Sequence, residues 1–153
     1  MNRSVKTDGS DHPATVLLRL RCGEQAIDQG DAARAVACFR DAFESSKRSL
    51  GVGHPSTIES AALLAWSLGA DDPSAAEEIL GEALAAAREA LGERHEATLR
   101  LVGVQAWLQR GQVEPTLELV LDAAADALPS RHPTRRFLER LAGVDPPANP
   151  PRP

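Results

Sequence analysis

Tyrosine is absent from this chain, and its aromatic set is three phenylalanines and two tryptophans in 153 residues. With aromatic and β-branched residues this few, and nothing alternating at period two, a strand-built fold is excluded. Cysteine is scarce as well. Cys22 and Cys38 have no CxxC spacing and no histidine pattern around them, which sets aside a zinc site or a disulfide scaffold. Each falls in a helix-like segment, so a reduced, buried, small apolar residue is expected at both. The longest uncharged stretch, Ser60–Ala70, is far too short to span a bilayer, and Met1–His12 is too polar for a secretory signal. A cytoplasmic location is therefore expected. The net charge of −5 lacks the basic footprint of non-specific nucleic-acid binding.

That charge is unevenly spread. Residues 1–70 carry eight acids and eight bases, residues 71–128 twelve acids and four bases, and residues 129–153 two acids and five arginines. An acidic body with a small basic end could steer a partner of mixed charge, or could be no more than a solvated surface.

What the chain does have is repetition. Its four histidines align as His12-Pro-Ala-Thr, His54-Pro-Ser-Thr, His95-Glu-Ala-Thr and His132-Pro-Thr-Arg, at spacings of 42, 41 and 37. Leu50, Leu91 and Leu128 each lie four residues before a histidine, and the first two precede glycine. Small residues follow in phase, with Gly23, Ala65 and Ala106 eleven past their histidines and Ala35 and Ala76 forty-one apart. Phe39, Leu80 and Leu121 share that interval, as do Ala42, Ala83 and Ala124. The last period is short because one helical turn is deleted between Ala124 and Leu128.

Each unit reads as two helices. Proline at a first helical turn gives up only an N–H that would be orphaned there, so His-Pro marks a helix start. Thr15, Thr57 and Thr98 lie where a hydroxyl could reach back to the cap. Gly30, Gly69 and Gly111, and then the Leu-Gly pairs, suit the left-handed residue that closes a helix. The expected helices are 13–29, 32–50, 55–69, 74–91, 96–110, 114–128 and a short 133–142. Five prolines between Asp145 and Pro153 make the end an extended or mobile tail, and residues 1–11 look equally loose.

The texts "SLGVGHPST", "ALGERHEAT" and "GDAARAVACFRDAF" resemble the tetratricopeptide repeats, and within them the longer kinesin-light-chain type. The resemblance covers about residues 12–142. It implies an all-α, right-handed α-solenoid of about three helical hairpins plus a terminal capping helix. The units would be about 12–53, 54–94 and 95–131, with a half-unit at 132–142 and a proline-rich tail at 143–153. It also implies a concave groove for holding a protein or peptide. Three features depart from the pattern: Glu96 stands in place of proline, tyrosine is missing, and the only asparagines are Asn2 and Asn149. Nine past the histidine, where the family often clamps a peptide backbone with asparagine, stand Arg21, Leu63 and Val104.

The residues expected to face the groove sit five, eight, twelve and fifteen past each histidine, one face of a helix. They are Leu17, Leu20, Glu24 and Ile27, then Glu59, Ala62, Trp66 and Gly69, then Arg100, Gly103, Trp107 and Arg110. The partner-binding set is Leu20, Glu24, Glu59, Ala62, Trp66, Arg100, Trp107 and Arg110. Trp66 and Trp107 are equivalent residues of consecutive units, which suits an apolar anchor with a charged flank. They could equally be core, or the final helix with Phe137, Leu138 and Leu141 could cover the groove itself. Arg131, Arg135, Arg136 and Arg140 mark that helix as a polar cap or as a contact for an acidic partner.

Translation along a solenoid would space equivalent histidines on the order of 10 Å apart, a ladder rather than a cluster. No Ser-His-Asp, His-Glu-x-x-His or phosphate-loop spacing occurs, so no catalytic residue, metal or cofactor is expected. The functional expectation is a non-catalytic scaffold for a protein or peptide. The alternative is a homo-oligomer or a subunit of a larger complex, and a remote third is an enzyme of unrecognised type.

Overall fold

The four histidines do their work at helix starts. His12, His54 and His95 hold extended backbone, and their Nδ1 atoms accept the N–H of Ala14, Ser56 and Ala97 at 3.2, 3.1 and 3.2 Å. His132 accepts the N–H of Thr134 in the same way, at 3.2 Å. Each imidazole thus satisfies one of the orphan donors of a first helical turn. With Nδ1 accepting, the ring hydrogen lies on Nε2, and in His132 it is donated to Glu96 at 2.5 Å. Thr57 and Thr98 were expected to reach back to these caps and do not. The Thr57 hydroxyl instead donates to the Gly51 carbonyl at 2.7 Å, and the Thr98 hydroxyl is buried without a partner among the described residues. The imidazole, two residues away, reaches the free N–H first.

The computed structural model describes residues 12–109 and 117–143. They form α1 (Pro13–Asp28), α2 (Ala32–Leu50), α3 (Pro55–Leu68), α4 (Pro73–Ala90), α5 (Glu96–Leu108), α6 (Leu117–Ala127) and α7 (Pro133–Gly143). No strand occurs among the described residues. The second helix of each of the first two units is capped by aspartate: Asp31 and Asp72 accept the N–H groups of Arg34 and Ala75 at 3.1 and 3.0 Å. Gly51 and Gly92, in the Leu-Gly pairs, take φ of 89° and 87°, a conformation glycine adopts without steric cost. Gly69 does not take the left-handed form expected of it. It stays right-handed at φ −55°, and its lack of a side chain makes room for Leu108 and Trp107 of α5. Gly111 and the expected start of a helix at 114 lie outside the described residues.

Packing follows the repeat. Helices α3, α5 and α7 touch in succession, while α2, α4 and α6 pack on those inner helices and not comparably on one another. Close contact on one side and separation on the other bends the stack, with the odd-numbered helices on the inner face. The architecture is an all-α helical-repeat solenoid. Helix α1 is the exception in the inner row, because it leans on α2 and has at most marginal contact with α3. In-phase positions fill the core: Ala35, Ala76, Phe39, Leu80, Ala42 and Ala124 are all at most 1% exposed. Gly23 admits the Phe39 ring, and Gly103 admits Leu138, so α2 and α7 approach α1 and α5 closely.

Gly103→Ala should therefore cost about 2 kcal/mol, the range of an overpacked core. Gly81→Ala, on α4 with open space around it, should instead stabilise by up to about 1 kcal/mol through helix propensity. Urea unfolding of both variants checks the pair, and equal effects would refute the assigned helix approach.

Candidate partner-binding groove

Because each unit repeats the last by translation, side chains at one position form a ladder along the inner face. The rung five past the histidine carries Leu17, Glu59, Arg100 and Phe137. Arg100 Nη1 donates to Glu59 Oε1 at 2.5 Å, across 41 residues, and the guanidinium lies 5.3 Å from the Phe137 ring centre. Its Nη2 donates to Thr134 Oγ1 at 2.9 Å. Arg100 is 8% exposed, and its Nε is buried without a partner. A guanidinium so enclosed needs the carboxylate, the hydroxyl and the ring face to offset its lost hydration. Arg100 is thus a strut between α3 and α7 rather than a free arm.

Around this strut lies a groove of about 620 Å³, within the range of ligand and peptide clefts. Phe39 and Leu63 form its floor. Glu24, Ile27 and Asp28 of α1 make one rim. The opposite wall is α7 and the turn before it, with Arg131, Arg136, Phe137 and Arg140. Trp66 stands between them, half-buried, with its ring edge-on to Phe137 at 6.0 Å and 81°. Arg135 is occupied by Glu139 at 3.2 Å, whereas Arg131, Arg136 and Arg140 have no ion-pair partner among the described residues.

The expected groove residues separate by position. Glu24, Glu59, Trp66 and Arg100 line the cleft. Leu20 and Ala62, 6% and 0% exposed, are core, because the place eight past the histidine is where neighbouring helices meet. Trp107 is also core at 4% exposure and lies against Gly69, one unit earlier. The paired, in-register rings expected on the groove therefore reduce to one. Arg110 lies outside the described residues. Helix α7 neither fills the cleft nor stands apart: Leu138 and Leu141 are buried, and Phe137 with its neighbouring arginines forms the wall. Arg136 and Arg140 share a helix face at i,i+4, a sequence signal that marks them as one surface. Phe39, from a second helix, carries no such signal; it is fully buried and lies beneath the cleft where α1 and α3 stand apart.

Lys47 and Glu82 bridge the outer helices α2 and α4 at 2.7 Å, and this hydrogen bond holds the lysine above its usual pKa. Among the described residues no three His, Cys, Asp or Glu side chains gather as metal ligands, and no helix is long and apolar enough to cross a membrane.

A family model for the tetratricopeptide repeat matches residues 14–89, the segment from α1 to α4. Residues 14–89 belong to the tetratricopeptide repeat family. Helix α5 continues the same pattern beyond the matched segment, with a histidine cap and in-phase small residues. No curated protein matches the sequence. Tetratricopeptide repeats generally serve as scaffolds for protein–protein interaction, and the family is typically non-catalytic.

The ladder makes a measurable claim about Glu59 and Arg100. Glu59→Ala should destabilise by about 2 kcal/mol, below the usual range for a broken buried pair because Glu59 is 43% exposed. Arg100→Met removes the stranded charge as well, so the double variant should lose less than the two single losses combined. A double-mutant cycle in urea would show strict additivity if the two side chains did not interact.

Proposed function

We propose that the groove holds a segment of a partner protein in which acidic residues flank an apolar anchor. The anchor seats on Trp66 beside Phe137, and the carboxylates meet Arg131, Arg136 and Arg140. The observation that carries this reading is the set of three arginines, without ion-pair partners among the described residues, beside a half-buried indole in one cleft. Elsewhere the chain is acidic, so this wall is where a negatively charged segment is steered rather than repelled. Glu24 and Asp28 on the far rim set direction, favouring a basic residue at the segment's other end.

Affinity in this reading comes from side chains. Of the positions where backbone-clamping asparagines are usual, Leu63 is floor, Val104 is core and Arg21 is exposed. The histidine motif and 41–42-residue spacing make the kinesin-light-chain type our assignment within the family. The unit boundaries near residues 54, 95 and 132 belong to the same reading, as do a cytoplasmic setting and a non-catalytic role.

Arrays of equal-length peptides, acidic-apolar against basic-apolar, test the proposal. With Trp107→Phe leaving Trp66 as the one indole, binding of the acidic set should shift its emission. Arg136→Glu with Arg140→Glu should weaken binding at least about tenfold, or about 1.4 kcal/mol, with helical circular dichroism unchanged. Equal binding of both peptide sets, or indifference to the charge reversal, would sink the idea.

A second reading, assembly with another copy, rests on Leu17 and Leu18 of α1, which are 53% and 67% exposed. Apolar area at the first rung of the ladder suits a stacked neighbour. Light scattering over a dilution series should then show a dimer that Leu17→Glu with Leu18→Glu dissolves; a monomer throughout removes this reading.

A further inference from the structure

Cys22 and Cys38 are far from any cysteine motif in sequence, yet the first hairpin brings them together. Cys22 is on α1 and Cys38 on α2, and their sulfurs are 2.8 Å apart as free thiols. That is within about 1 Å of a disulfide bond length, so closure needs side-chain rotation and little backbone movement. The next residue on each helix explains the approach. Gly23 has no side chain, and the Phe39 ring occupies its place, which draws α1 onto α2 at this level. Both cysteines are half-buried, within reach of a small reagent. The expectation that each is a reduced, buried, small apolar residue is thereby corrected in its burial: both are free thiols, but half-buried and in contact with each other.

We propose that Cys22 and Cys38 form a site of reversible thiol–disulfide exchange, closed to an intramolecular disulfide by small-molecule disulfides of the glutathione class. The chemistry has an order. Cys38 is pushed up to about 11, by burial first and by its hydrogen bond with Cys22 second, so near neutral pH it keeps its proton. Cys22 stands beside the Arg34 guanidinium, whose Nη2 is 4.0 Å from its sulfur. Cys22 therefore opens the exchange. Its thiolate attacks one sulfur of the small disulfide, the S–S bond breaks, and one small thiolate leaves. Cys38 then gives up its proton and attacks Cys22 Sγ in the mixed disulfide, expelling the second small thiol. Two protein thiols are oxidised by two electrons, and one small disulfide is reduced to two thiols.

Closure would act on the groove through its neighbours in the chain. Glu24 follows Cys22 closely, and Phe39 follows Cys38; both line the cleft. Helix α1 has little purchase on α3 and takes its position from α2, so a covalent tie fixes the acidic rim. The exchange chemistry itself does not depend on the groove having a ligand.

The test uses the folded wild-type chain equilibrated in buffers of graded reduced and oxidised glutathione, then alkylated. Mass spectrometry should show a monomer lacking two hydrogens and resistant to alkylation, with one Cys22–Cys38 cross-linked peptide. The thermal midpoint of that species should rise by roughly 5–10 °C, from the loop the bond closes. Cys38→Ser should stop at a glutathione adduct on Cys22, whereas Cys22→Ser should form its adduct on Cys38 more slowly. Persistence of two alkylatable thiols at the most oxidising ratio would overturn the proposal. So would closure only in unfolded protein, or disulfides only between chains.

Discussion

How closely the inner helices approach one another decides what the concave face can display. At Gly103 the absent side chain lets Leu138 sink into α5, and this sets the depth at which α7 rests. Phe137 precedes Leu138 and is carried with it to the edge of Trp66 and the face of the Arg100 guanidinium. Arg136 and Arg140, on the same helix, are turned to the cleft by that seating. A larger residue at 103 would hold α7 off and separate the indole from the arginine wall. The groove is thus a consequence of core packing, and its chemistry cannot be altered independently of that packing.

Translation also explains why charges are placed where they are. A side chain repeated at each rung would set like charges side by side, at a cost that grows with burial. Here one rung runs from leucine through glutamate and arginine to phenylalanine, so each member meets a neighbour it attracts or at least tolerates. The histidine rung works differently, because its nitrogens serve their own helices. Among the described residues, His132 alone turns its second nitrogen outward to an adjacent unit, to Glu96. That glutamate occupies the place where other units have proline, so the departure from the motif ties the shortened last unit to its predecessor.

Much of the fold was legible because it rests on spacing. Histidine intervals, proline at first turns and glycine after leucine each reflect a local constraint, and helix boundaries followed to within a few residues. The Thr57 and Gly69 roles were misread because both positions answer to tertiary contacts: a carbonyl six residues back and a tryptophan one unit on. The groove was legible only in part. Periodicity identifies which residues share a face, and it does not say how deep a neighbouring helix sits on that face. Leu20, Ala62 and Trp107 share a stripe with Glu24 and Trp66, yet the first three lie beneath helix contacts. Cys22 and Cys38 were invisible for a related reason, since their meeting depends on the register of α1 against α2.

The two tryptophans show this limit most clearly. They occupy one motif position, and their differing exposure follows from what the adjacent unit provides. Trp107 finds Gly69 in the unit before it, an empty place into which its ring packs. In the first unit the residue corresponding to Gly69 is Ile27, a half-buried side chain at the groove's rim, and α1 is held off from α3. Trp66 therefore has no such vacancy behind it and remains in the cleft, braced by Phe137 from two units ahead. Two differences between successive units, isoleucine in place of glycine and an α1 that stands off from α3, thus accompany the separation of an indole that faces the cleft from one that is core.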